Sequence, residues 1–215
     1  MATTASPFGL LPVNLIGGGP YQGGTIREFA VNANVATAIF NGQLVVLSTA
    51  GLPAGVTASP TAQNLAATSA QPTAGIVGVC SGCSYISAEG QLLFKNFLPA
   101  NLTSGGATEI KLFVNDDPNT VFKIQGSEKV GSLTGGAAAC VGTNGAVATF
   151  TGSTTTGKSN MVLTVGTNGG GLDATATLGF RVIGVVPGTE TDDYPEFLVK
   201  YNVGVHSYNN SLGLA

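Results

Sequence analysis

Four groups of residues have types and spacings that chemistry could use. Gly152–Ser159 reads GSTTTGKS and fits the phosphate-loop pattern G-x-x-x-x-G-K-[ST] at every fixed position. A nucleotide site of that kind needs a strand before the loop and a helix after it, whose N–H groups hold the phosphates. The next residues, Asn160 to Gly166, read NMVLTVG, a β-prone run closed by glycine, and no later apolar strand ends in an aspartate for magnesium. The motif therefore reads as a polar loop. Cys80 and Cys83 have C-x-x-C spacing. Zinc needs two further ligands, and only the isolated Cys140 and His206 remain. A redox pair would sit at a helix N-terminus, whereas an apolar strand runs into this one, so buried thiols near a turn are expected. Asp116/Asp117 and Asp192/Asp193 are paired carboxylates among turn residues. Calcium asks for about six to eight oxygens from a tight loop. Turn formation explains the first pair, and the second, with Glu190 and Glu196, is open to a cation or a cationic partner. His206 is the sole histidine and has no placed nucleophile. With Asn202 and Tyr208 it reads as a hydrogen-bonding cluster at an edge or interface. No catalytic residue, metal site or cofactor is expected.

The elements that would carry these residues are strands. Thr25–Val31, Ala38–Leu47 (broken at Asn41-Gly42), Ile76–Cys80, Gln91–Phe94, Val147–Thr151 and Met161–Val165 are short β-prone runs bounded by turn residues. Ile110–Val114 and Val121–Gln125 flank NDDPN and predict a hairpin. A second hairpin is predicted from Leu178–Val186 and Phe197–Val205 around the acidic turn 187–196. No segment carries a helical apolar period. The fold class is all-β, a β-barrel or β-sandwich of short antiparallel strands with little helix. Residues 1–24 form an extended N-terminal arm, since Pro7, Pro12, Pro20 and Gly17–Gly19 oppose both a helix and a regular strand. Residues 25–215 form a single β-rich domain, with a long uncharged loop near 51–75.

Composition narrows the function. Charged residues make up 9% of the 215, against about 25% in an ordinary soluble domain. None occurs between Phe29 and Ala88. A free monomer keeps a charged surface for solubility, so much of this surface is expected to be covered by partners, the alternative being a surface wetted by Thr, Ser and Asn hydroxyls and amides. Eight cations, scattered singly in a chain of net charge −3, exclude a nucleic-acid stripe. No apolar run reaches the ~18 residues of a membrane span. The N-terminus lacks a basic residue before its apolar part and does not read as a signal peptide. Three cysteines without a secretion signal read as reduced thiols.

The segments KLFVNDDPNTVFKIQ and GSTTTGKSNMVL, the opening SPFGLLPVNLIGGGPYQGGTIREFAV and the end LGFRVIGVV…DYPEFLVKYNVGVHSY together resemble capsid cement, or head-decoration, proteins of tailed bacteriophages. The resemblance implies a β-rich structural protein with no catalytic residues. It would be made in the host bacterial cytoplasm and would bind the outer surface of an icosahedral head as a homotrimer, clipping neighbouring major capsid subunits. Candidate partner contacts are Phe8, Leu10, Leu11, Leu15, Ile16 and Tyr21 in the arm, Glu190, Asp192 and Asp193 in the acidic turn, and His206 and Tyr208 near the end. Two other readings are a different virion component (tail tube, fibre or minor capsid protein) and a nucleotide-binding protein acting through Gly152–Ser159.

Overall fold

The computed structural model describes residues 4–20, 26–31, 35, 37–48, 61–64, 76–130, 136–166, 171–206 and 208–209. Two six-stranded antiparallel sheets make up the fold. In the first, the order is β1 (Leu11–Leu15), β8 (Thr120–Gln125), β14 (Glu196–Tyr201), β13 (Phe180–Val185), β9 (Asn144–Gly145) and β12 (Leu172–Asp173). In the second it is β2 (Ile26–Ala30), β7 (Thr108–Asn115), β5 (Ile76–Ile86), β3 (Leu44–Ser48) and β4 (Thr61–Asn64), with β6 (Leu92–Lys95) also on β5. A two-stranded ribbon pairs β10 (Val147–Ala148) with β11 (Val162–Leu163). Among the described residues the one regular helical element is a 3-10 turn, Gly136–Cys140, and no helix is long and apolar enough to cross a membrane.

The sheets pack face to face, which makes the all-β fold a sandwich. Their shared core joins Phe122, Ile124, Phe180, Phe197 and Val199 from the first sheet to Leu44, Ile76 and Val79 from the second. β14 shows the pattern that builds it. Phe197, Val199 and Tyr201 are buried while Glu196, Leu198 and Lys200 are only half-buried, the alternation of a strand with one face in a core. A second core lies on the far side of the second sheet, where Val77, Cys80, Cys83, Leu112 and Val114 pack against Ile39 and Leu98 from the connecting segments. β5 is thus buried on both faces, which explains its near-continuous run of apolar and small residues. Its register slips between Cys80 and Gly82, a bulge that bends the strand.

Two expectations need correction. NDDPN does not close a hairpin. β7 pairs with β2 and β5, β8 pairs with β1 and β14, and the turn between them carries the chain from one sheet to the other. Turn chemistry bends a chain; which strands pair afterwards is decided by packing faces. The arm is also more regular than its prolines and glycines suggest. Leu11–Leu15 adds an edge strand to the first sheet, with a register slip between Pro12 and Asn14. Proline is tolerated at an edge and at a bulge, and Leu10, only 1% exposed, anchors the strand in the shared core. The predicted C-terminal hairpin forms as β13–β14, although its second arm ends at Tyr201 rather than Val205. Within the long uncharged segment 51–75, only Thr61–Asn64 is described, and it pairs with β3.

Candidate functional site

The nucleotide-like motif is a tight β-turn. Gly152 and Ser159 bridge in antiparallel fashion, and no helix follows. Most of its amides are already engaged: Ser153 N–H donates to Lys158 O and Gly157 N–H to Ser153 O within the loop, and Ser159 N–H to Asn41 O outside it. The Thr156 and Lys158 amides donate to the hydroxyls of Ser153 and Thr156. The glycines have structural reasons. A Cβ on Gly152 would lie 2.3 Å from the Phe40 ring, and Gly157 has φ of +71°. Five of the loop's amides are thus already engaged, and no helix N-terminus adds others for a phosphate. Cys80 and Cys83 sit inside β5 around the bulge, their thiols turned to the carbonyls of Gly82 and Phe97. Burial pushes both thiols up to about 12, the reverse of a reactive cysteine. Among the described residues no three His, Cys, Asp or Glu side chains gather as a metal site.

The densest polar cluster lies at the corner between the sheets. Asn115 Oδ1 accepts from the Asp117 amide at 3.3 Å and from the Thr120 hydroxyl at 3.1 Å, which fixes the turn. Asp116 ion-pairs with Arg27 of β2 and accepts from the Tyr208 hydroxyl at 2.7 Å. The Arg27 guanidinium lies over the rings of Phe29 and Tyr208. One strand, the inter-sheet turn and the chain end are thereby joined. His206 forms a parallel bridge with Ile76 and is wholly buried. The Tyr208 amide donates to its Nδ1 at 3.3 Å, which leaves the proton of the neutral ring on Nε2. Its ring lies 4.8 Å from that of Tyr201. Among the described residues the Asn115 Nδ2 and Tyr201 hydroxyl atoms are buried with no hydrogen-bond partner, and the His206 imidazole interacts with the Val77 backbone. Burial pushes the His206 imidazole down to about 4. It drives the Tyr201 hydroxyl well above its ordinary range, and the Asp116 and Asp117 carboxylates add to that rise. Burial also raises the Asp116 carboxyl, with Arg27 acting in the opposite direction. A wholly buried imidazole packed against a buried phenol helps to fix the corner.

The acidic turn is engaged within its own chain. Lys123 ion-pairs with Glu196 at 2.9 Å and Lys129 with Asp193 at 3.2 Å. Glu190 accepts from the Gly188 amide, and Asp192 is buried. Of the other expected partner contacts, Leu10 and His206 are buried, and Phe8 is half-buried with Lys123 over its ring. Leu15 is half-buried and Tyr21 lies outside the described residues. Leu11, Ile16 and Tyr208 are exposed, at 46%, 47% and 48%.

Sequence reasoning missed two surfaces. One is on β6, which pairs with β5: Leu92 and Phe94 are 61% and 70% exposed and the Phe94 ring stacks on Phe113 of β7. Spacing of two within QLLF was the available signal. The other is a groove of about 390 Å³ at the open end of the β13–β14 hairpin, lined by Arg181 and Lys200. These cations lie 19 residues apart in sequence, and only the register of the hairpin brings them together. No protein-family model matches this chain, and no curated protein or solved structure matches it.

Proposed function

We propose that the protein is a structural component of a virion: a capsid cement, or head-decoration, protein that binds the outside of an icosahedral phage head as a homotrimer and stabilises contacts between major capsid subunits. The observation that carries this reading is the pair of apolar strand edges. β1 presents Leu11 and Val13 at one rim of the first sheet, with Ile16 just beyond, and β6 presents Leu92 and Phe94 at a rim of the second. Solitary β proteins protect such edges with lysines, prolines and short strands. Here β1 is interrupted by Pro12 and a register slip and β6 ends in Lys95, yet exposed apolar side chains remain on both. Edges of this kind suit strand-by-strand or face-on contact with neighbouring chains.

The low charge of the sequence and its likeness to head-decoration proteins support the same reading. Arg27, Asp116 and Tyr208 in the corner, and Glu190, Asp193 and Glu196 in the acidic turn, are engaged within the chain, which agrees with a scaffold better than with a catalyst. Many copies, each adding a modest interface, would make the shell hard to open.

The test is to count the protein on purified, DNA-filled heads by quantitative mass spectrometry. Hundreds of copies in fixed ratio to the coat protein are expected. A few copies, or a location confined to the tail, would overturn the proposal and return the alternative of a tail or fibre component. Leu11→Lys and Phe94→Lys should release the protein from heads without lowering its melting temperature.

A further inference from the structure

We propose that the groove at the open end of the β13–β14 hairpin is a carboxylate-binding site that takes an acidic segment of a neighbouring protein chain. Arg181 and Lys200 are direct partners in the antiparallel register, so their side chains leave the sheet on the same face and side by side. Like charges placed opposite each other destabilise a sheet. Neither cation forms an ion pair among the described residues, although the protein carries more acidic than basic groups. Lys123, on the same face, is already taken by Glu196 at 2.9 Å.

The arrangement is oriented. Arg181 Nε donates to Asn144 Oδ1 at 3.0 Å, which fixes the guanidinium plane. The two Nη atoms remain for an incoming pair of oxygens, the geometry in which arginine holds a carboxylate. Lys200 adds a second charge beside it. Asn202 Nδ2 donates to the carbonyls of Ala176 and Leu178 and holds that wall of the groove in place. Asp173, one strand beyond Asn144, is turned to its own loop, where it accepts from the Ala174 amide and the Thr175 hydroxyl. It forms no ion pair with Arg181 or Lys200 among the described residues.

Size and wall chemistry decide the occupant. The volume of about 390 Å³ falls at the lower end of the range for ligand pockets, ~300–1,000 Å³. Ala174, Ala176 and Val203 supply apolar walls that suit the methylenes of an Asp or Glu side chain. Two cations make too small a field for nucleic acid, which asks for an extended basic stripe. The site stands apart from the virion reading, because binding in the groove and association with heads can each fail alone.

The experiment is a titration of the full chain, followed by amide NMR at low ionic strength, with N-acetyl-Asp-Glu-Asp-amide, its uncharged Asn-Gln-Asn counterpart and inorganic phosphate. The acidic peptide should give saturable shifts confined to Asn144, Ala174–Ala176, Arg181 and Lys200–Val203. The uncharged peptide should give none. Arg181→Gln and Lys200→Gln should each weaken binding roughly tenfold. Lys200→Gln should melt no lower than the parent, since it removes the like-charge contact and breaks no ion pair, so its lost binding is not lost folding. Binding by either variant as tight as by the parent, or shifts spread over Lys95, Lys111 and Lys158, would overturn the site. Tighter binding of phosphate than of the acidic peptide would overturn the choice of a carboxylate.

Discussion

Two strand–turn–strand segments carry the same local signals and take different paths. In β13–β14, two β-rich arms flank an acidic turn and pair with each other from Phe180↔Tyr201 to Val185↔Phe197. In β7–β8, two β-rich arms flank NDDPN and each joins a different sheet. The hairpin is held mainly by what it buries, since Phe180, Val182, Phe197 and Val199 all lie in the shared core. The corner is held by a fixed turn, one ion pair and close backbone contact, with buried polar groups around it. Local chemistry says where a chain bends. The faces that need covering decide where it goes next.

That difference can be tested by breaking each segment in its own way. Phe197→Ala should cost the hairpin about 3–5 kcal/mol, because a fully buried ring is removed from a packed core. Urea unfolding measures it, and a loss under 1 kcal/mol, roughly the cost of a surface change, would mean the hairpin is not held by its core. At the corner the equivalent weak point is a glycine. A Cβ on Gly78 would sit 2.1 Å from the Asn115 carbonyl oxygen, so Gly78→Ala should cost about 3 kcal/mol or more by forcing the backbones apart. If the variant melts with the parent, β5 and the turn are not in close contact.

Acid should act on the corner through His206. The unfolded imidazole takes up a proton near 6.5 and the buried one only near about 4. The contribution to stability is therefore complete above pH 6.5, falls as the pH drops towards 4, and is flat below that. At about 1.4 kcal/mol per pH unit, roughly 3 kcal/mol is at stake. Because carboxylates titrate in the lower part of the same window, the measurement is the difference in pH slope between the parent and His206→Gln. An unchanged slope would remove His206 from the account. The smallest effect belongs to the tip of the hairpin. Lys129–Asp193 is an exposed pair, so Asp193→Asn should change stability by less than about 0.5 kcal/mol.

Much of the fold was legible in the residues. The Val-, Ile- and Phe-rich runs became strands, and the predicted C-terminal hairpin formed. The path of the chain at NDDPN was not legible, because Asn115 and Thr120 find their strand partners far away in sequence. Leu10 and Leu11 show the same limit at the scale of one residue. They are adjacent and alike, yet one is in the core and the other on the rim, a choice made by the register with β8. The basic groove is a third case, since it exists only through the pairing of two strands.

The double-sided burial of β5 has a consequence for how the molecule comes apart. Ile76 and Val79 belong to one core, while Val77 and Cys80 belong to the other. Neither core can melt without exposing the same strand, so the two sheets form one cooperative unit rather than two that open in turn. The amides of β5 should be among the last to exchange with solvent. Thiol labelling of Cys80 in one core and Cys140 in the other should report the same opening event.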